Sequence, residues 1–256
     1  MRNITEGIIL KSFPLGEADL IVTIYTLDYG LVRVFAKSPR KTKSRFGSSL
    51  EPFSYNKITF LGNEDNNLPR LIQADIIYPF QSLRDNLKCY IKSTEILEVT
   101  LNLQPERLIV KELFYILLDT LKKLDSECNT NRWNLFYKIK LLKYSGLAPE
   151  LSGCVICNCA GRTFYIHEGA VICEDCFIKG DYPRKISLSQ GAINLYITIL
   201  KWNWDNLHRI KPSDILNSEL NNMIDRHIEY RSERNLKTKW FNFKVQQVMG
   251  SSVTTP

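Results

Sequence analysis

Two pairs of cysteines, Cys154/Cys157 and Cys173/Cys176, each enclose two residues and are separated by fifteen. Four thiolates at this spacing suit a tetrahedral zinc ion, with Zn–S distances of about 2.3 Å. Residues 161–171 between the pairs read as a short hairpin, as in a zinc ribbon. Four protein ligands leave no coordination position for water, so the expected zinc is structural. A redox dithiol pair and a metal-free loop are the competing readings. Cys159 could replace Cys157 as a ligand, but the paired spacing favours Cys157. A catalytic zinc of the deaminase kind needs His-x-Glu and Pro-Cys-x-x-Cys; His167-Glu168 has the wrong spacing, and no proline precedes either pair. Phosphate-loop, dinucleotide, metalloprotease and serine-hydrolase motifs are absent as well, and no nucleophile stands with a base. An enzyme is therefore not expected. Cys89 and Cys128 read as packing residues, and the cysteines as thiols or ligands rather than disulfides.

A second group of residues offers electrostatic chemistry. Arg33, Lys37, Arg40, Lys41, Lys43 and Arg45 lie between Asp28 and Glu51 with no acid among them. The start of this stretch alternates as a strand does: Val32, Val34 and Ala36 share one face, while Arg33, Phe35 and Lys37 share the other. A loop punctuated by Ser, Pro and Gly follows. Cations neutralise phosphates, and a ring among them can stack a base, which is the chemistry of single-stranded nucleic-acid binding. Phe35 and Phe46 are the candidate rings. A solvated hairpin loop is the plainer alternative.

The elements that must carry these groups change character along the chain. Residues 4–78 hold five short strand patterns with turn signals between them, which suits a small closed barrel. An OB-type barrel is the natural candidate, and an SH3-like one has a similar strand count. Gly30 is placed for a left-handed turn into the third strand. Past Pro79 the apolar period becomes helical: Leu83, Leu87, Tyr90, Ile91, Thr94, Leu97 and Leu101 follow one face. Pro105 is placed to open a second helix carrying Leu108, Ile109, Leu113, Ile116, Leu117, Leu121 and Leu124. A third runs from about Asn131 to Gly146. After the cysteines, Ser187 and Gln190 have capping-box spacing for a helix reaching about Leu207, and Pro212-Ser213 opens another. The fold class is thus α+β and multidomain. Residues 1–79 are expected to form a nucleic-acid-binding OB domain and 80–256 a helical domain, with a zinc module inserted at 150–180. Residues 250–256 read as a frayed tail.

In 256 residues, 44% hydrophobic and 24% charged with a formal charge of +7, the totals fit a globular protein with a polyanionic partner. No signal-peptide pattern and no run of about eighteen apolar residues is present, so a cytosolic protein without a membrane span is expected.

The order of several motifs resembles the RecO recombination-mediator family of bacterial DNA repair. These are Ile8-Ile9-Leu10-Lys11, Leu15-Gly-Glu-Ala-Asp19, Thr26-Leu-Asp-Tyr-Gly30, Ala36-Lys37, Lys43-Ser-Arg-Phe46 and Leu50-Glu-Pro-Phe53. Ala74-Asp75 through Pro79-Phe80, Leu83-Arg84, and Gly146-Leu-Ala-Pro149 before the cysteines continue the likeness over almost the whole chain. The resemblance implies an OB-fold followed by a helical domain with a zinc module, no enzymatic activity, and a bacterial, nucleoid-associated location. It implies binding of single- and double-stranded DNA, annealing of complementary strands, and recombinase loading onto strands coated by single-strand-binding protein. Its implied partners are RecR and the acidic C-terminal tail of single-strand-binding protein. For that tail, Arg226, Arg231, Arg234 and Trp240 are the candidate surface, because cations there flank apolar and aromatic residues. An RNA-binding barrel-plus-ribbon protein and a scaffold that binds proteins alone are the alternative functions.

Overall fold

Five strands, β1 (Arg2–Leu15), β2 (Asp19–Thr26), β3 (Gly30–Ala36), β4 (Tyr55–Leu61) and β5 (Arg70–Tyr78), close a barrel in the spatial order β1-β2-β3-β5-β4. All pairings are antiparallel except β3 with β5, where Phe35 lies opposite Arg70. A five-stranded Greek-key barrel closed by that crossover is an OB-fold. The computed structural model describes residues 2–40, 44–62, 68–177 and 185–251, and divides into two units, Met1–Cys128 and Asn129–Pro256.

Alternation along the strands fills the barrel with Ile9, Val22, Ile24, Val32, Val34, Ala36, Ile58, Phe60, Leu71 and Ala74. β1 has a register shift between Ile9 and Lys11. This bulge lets a run of three buried residues, Ile8 to Leu10, serve both sides of the strand. Gly30 takes a φ of +64°, and a Cβ there would strike the carbonyl of Leu108. Two demands, the left-handed turn and the close backbone approach, therefore fall on this one glycine.

The first unit continues with α1 (Gln81–Asp85), α2 (Leu87–Leu103) and α3 (Lys111–Ser126). α3 does not begin at Pro105. The chain there bridges to β3 at Leu31↔Glu106, with the Arg107 N–H donating to the Leu31 carbonyl at 3.0 Å, so Leu108 and Ile109 stay exposed. The buried face of α2 also differs from the expected one: Cys89, Ser93, Ile96, Leu97, Thr100 and Leu103 point inward, while Leu87 and Tyr90 are exposed. Asn86 is the reason. It interrupts the helix, and its side chain accepts from the Lys88 and Cys89 N–H groups, so the register restarts at Leu87. Cys89 and Cys128 are joined in a disulfide, with Cα atoms 5.4 Å apart, contrary to the expectation of unlinked thiols. Packing of the first turn of α2 near the end of α3 brings them together, which no sequence spacing signals.

In the second unit, α4 (Arg132–Tyr144) is buried almost all round. Its Lys138 is fully buried and donates to Asp225 at 2.6 Å; Asn221 also donates to Asp225. Lys140 caps carbonyls at the end of a later helix, donating to Leu200 and Trp202. A small sheet in the order β7-β6-β8 follows, from β6 (Thr163–Tyr165), β7 (Ala170–Ile172) and β8 (Lys185–Ser187), with the short α5 (Glu174–Phe177) between. Then come α6 (Gln190–Lys201), a 3₁₀ segment (Trp204–Arg209), α7 (Asp214–Ser232) and α8 (Lys237–Ser251). Ser187 belongs to β8, and the cap of α6 is Ser189, whose hydroxyl accepts from the Ala192 N–H. α6 ends at Lys201 rather than near Leu207, its Trp202 cap being already extended. Ser213 caps α7 as its sequence position predicts. Among the described residues no helix is long and apolar enough to cross a membrane.

Candidate nucleic-acid face and metal centre

The register of the barrel decides which side chains share its outer surface. Ile8, Tyr25 and Leu31 form one cross-strand row, and Tyr25 is covered by Phe114 of α3, ring centroids 6.1 Å apart. The next two rows outward are Lys11–Thr23–Arg33 and Phe13–Ile21–Phe35, with Arg70 beside Phe35. These rows are uncovered within the unit. Phe13 is 59% exposed, Phe35 and Ile21 are half-buried, and Lys11, Arg33 and Arg70 are exposed. The Lys11 ammonium lies 5.8 Å from the centroid of the Phe13 ring. The result is a strip of two rings and an isoleucine edged by three cations. Arg33 shares its charge with Glu106 at 3.0 Å.

Arg33 and Phe35 thus stand on one outer face as the alternation predicted, while Lys37 is exposed just past the end of β3. Lys11, Phe13 and Arg70 were missed because pairing, not sequence proximity, brings them there. The one usable signal was the outward parity of Lys11 and Phe13 on the first strand.

The loop after β3 is tied to the turn between β1 and β2. The Ser38 N–H donates to Asp19 at 2.7 Å, the Arg40 N–H to the Ala18 carbonyl at 3.2 Å, and the Arg40 guanidinium to the Gly16 carbonyl at 3.4 Å. Arg40 and Arg45 are exposed, while Lys41 and Lys43 lie outside the described residues. Phe46 is placed differently from its expected role. Only 4% exposed, it is part of the barrel core, and the Arg45 guanidinium sits 4.8 Å from its ring centroid. A ring that fills the barrel offers no face to a base.

The cysteine pairs converge. The sulfur atoms of Cys154, Cys157, Cys173 and Cys176 all lie within 4.8 Å of one another, and those of Cys157 and Cys173 are 3.5 Å apart. A tetrahedral site with Zn–S bonds of about 2.3 Å needs S···S separations near 3.8 Å, so the quartet fits a metal ion. Cys159 is exposed and outside the quartet; its carbonyl accepts from the Cys154 N–H at 2.8 Å and helps shape the first knuckle. Burial pushes the Cys154 thiol up, but N–H groups of Cys173, Cys157 and Ile156 outweigh it and bring it down to about 6. Hydrogen bonding with Cys157, with burial next, pushes Cys176 up to about 12. A bound cation would replace these shared protons.

The hairpin of this centre is fastened to α7. His227, fully buried, donates from Nε2 to the Leu147 carbonyl at 2.8 Å and packs edge-on against Phe164. Burial brings its pKa down to about 4, so it is neutral. Tyr230 bonds His167 at 3.0 Å. Close by, a cavity of about 770 Å³ is lined by Ile166, Arg226, Glu229, Tyr230, Arg231, Glu233 and Asn235. Of the four residues expected to receive an acidic tail, Arg226 and Arg231 meet here. Arg234 and Trp240 do not line the cavity; Trp240 is exposed on α8 under the Lys244 ammonium, 3.9 Å from its ring centroid.

Comparison with known proteins agrees with this architecture. The family model for "Recombination protein O N terminal" matches residues 1–80, and that for "Recombination protein O C terminal" matches residues 86–239. The chain belongs to the RecO family. A DNA repair protein RecO of Thermodesulfovibrio yellowstonii is 42% identical over 232 residues, covering 89% of this chain and 92% of the relative. The RecO proteins of Desulforamulus reducens and Bacillus subtilis are each 28% identical, covering 92% of both chains. As a RecO family member the chain is a DNA repair protein, with an OB-fold at its N-terminus and a four-cysteine cluster able to hold a metal ion.

Proposed function

We propose that this RecO protein is a non-catalytic recombination mediator that binds single- and double-stranded DNA on its barrel and anneals complementary strands. In the same reading it helps load recombinase onto strands coated by single-strand-binding protein, with RecR as a partner. The observation that carries the DNA site is the outer strip of Phe13, Ile21 and Phe35 bordered by Lys11, Arg33 and Arg70. Rings supply sequence-tolerant stacking, and cations lower the repulsion between two polyanionic strands. Lys37, Arg40 and Arg45 carry positive charge into the adjoining loop, and Lys41 and Lys43 add to it by sequence. The acidic tail of single-strand-binding protein is assigned to the cavity holding Arg226 and Arg231, where cations sit beside Tyr230 and Ile166. Arg234 and Trp240 are left to its outer approach. The ion of the cysteine quartet is assigned as zinc with a structural role, since four thiolates leave it no open position.

Annealing of complementary oligonucleotides coated with single-strand-binding protein tests the reading. Wild type should anneal, and a variant with Arg40, Lys41, Lys43 and Arg45 all changed to alanine should not, provided both fold. Neutralising about six phosphates also predicts an affinity loss on the order of 10³-fold between 50 and 200 mM salt. A flat salt response would sink the phosphate-neutralising reading, and equal annealing by both proteins would move the DNA site off the barrel loop. For the tail, a peptide that binds equally well after Arg226→Glu and Arg231→Glu would remove it from the α7 cavity.

A further inference from the structure

The Cys89–Cys128 bond shares no residue with the cysteine quartet or the DNA strip, and nothing in a mediator's work requires it. Its surroundings are those of a reactive pair. Cys89 is the third residue of the seventeen-residue α2, in a first turn whose Lys88 and Cys89 N–H groups are already taken by the Asn86 side chain, so the cation of the site comes from a side chain. Cys89 is 5% exposed, whereas Cys128 is half-buried. Lys92, one turn along α2, donates from Nζ to the Cys128 carbonyl at 2.7 Å, which holds a cation against the residue that carries the second sulfur. Burial and the neighbouring Lys88 bring Lys92 itself down to about 8, so it is still charged at neutral pH. Redox-sensing cysteines have this profile: one accessible thiol in an electropositive site, poised against a second that resolves it. Disulfides in a reducing cell interior are commonly transient or redox-sensing.

We propose that Cys89 and Cys128 are a reversible thiol–disulfide pair, closed by hydrogen peroxide and reopened by a dithiol. In the closing step the Cys128 thiolate attacks peroxide, giving a sulfenic acid and hydroxide. The Cys89 thiolate then attacks that sulfur, forming the S–S bond and expelling a second hydroxide; protons from solvent convert both to water. Peroxide takes two electrons from the two sulfurs. Reopening is exchange with a dithiol, which leaves as its own disulfide. The bond spans 39 residues of sequence, tying the first turn of α2 to the last residue of the first unit. It removes unfolded-state freedom over that span, so the closed form resists unfolding more than the open one.

The test uses the metal-loaded full chain, fully reduced, then exposed to peroxide, alkylated and mapped by peptide mass spectrometry. Peroxide should remove Cys89 and Cys128 from the alkylated set and join their peptides with the loss of the two thiol hydrogens. Dithiothreitol should restore both, and the closed form should melt several degrees higher. In Cys89→Ser, dimedone should trap a sulfenic acid at Cys128; Lys92→Gln should slow closure in the otherwise wild-type chain, a rate that a merely structural bond would not depend on. The mapping of the wild-type chain stands even if Cys89→Ser does not fold. Three results would overturn the proposal: both thiols surviving a peroxide dose that consumes free N-acetylcysteine in the same tube, a bond that dithiothreitol does not reopen, or closure that is unchanged by Lys92→Gln.

Discussion

The four-cysteine cluster and the outer strip of the barrel both gather side chains into one place, by different means. The cluster is written in local spacing: each cysteine pair lies within one tight turn, and a short hairpin carries one pair to the other. The strip is written in strand register. Phe13, Ile21 and Phe35 come from three strands and meet because each pairs with the next, and Arg70 joins only through the parallel pairing that closes the barrel. A spacing-coded site can be read from a sequence before its fold is known. A register-coded site needs the pairing first.

The largest expected effect separates the two regions. Removing the metal with a chelator, or making Cys154→Ser, should unfold the segment around the quartet, since structural zinc contributes about 10 kcal/mol or more in small modules. Circular dichroism and zinc stoichiometry would report it, while DNA affinity of the barrel should change little. A parallel loss of both would mean the regions are not separable. Uptake displaces thiol protons, including that of Cys176, whose pKa is pushed up, so metal affinity should fall as pH drops across the neutral range.

Phe46→Ala should cost about 3–5 kcal/mol of barrel stability in denaturant unfolding, the penalty for truncating a core phenylalanine. Phe35→Ala should cost far less stability and act on DNA binding. Similar losses from the two would erase the distinction between the plug and the platform. In the second unit, Asp225→Ala should destabilise by about 3–5 kcal/mol, because it removes the carboxylate that faces the buried Lys138 ammonium at 2.6 Å. Replacing both members by apolar residues should recover much of that.

His227 gives a pH signature confined to the second unit. Its folded pKa of about 4 lies below its ordinary 6.5, so the unfolded chain binds the proton more readily. The stability it contributes is full above about 6.5 and is lost as pH falls toward 4, by up to about 3 kcal/mol. His227→Gln should flatten that part of the stability profile. An unchanged profile would place the acid sensitivity in other groups.

What was legible in the sequence follows the same division. The convergence of the four cysteines, the five strands, the turn at Gly30 and the Ser213 cap follow local patterns, and the structure holds them where spacing and alternation put them. Phe46 follows a run of cations and so reads as a surface ring, but the chain turns inward there and uses it to fill the barrel. The buried face of α2 departs from the single apolar stripe of its sequence because Asn86 resets the helical phase. Lys138 and Lys140 are buried lysines on a helix enclosed on all sides, each satisfied by a partner more than fifty residues away. No window of sequence contains such partners. The disulfide has the same origin.

The most direct test of the account is a salt titration of single-stranded DNA binding for wild type, Phe13→Ala/Phe35→Ala, and Lys11→Ala/Arg70→Ala, each checked for folding. The ring pair should lose affinity by about 1–3 kcal/mol per stacked base with the salt slope unchanged. The cation pair should flatten the slope by about 0.7 for each phosphate that is no longer neutralised. Wild-type affinity and slope in both variants would contradict the claim that this strip of the OB-fold is where DNA is held.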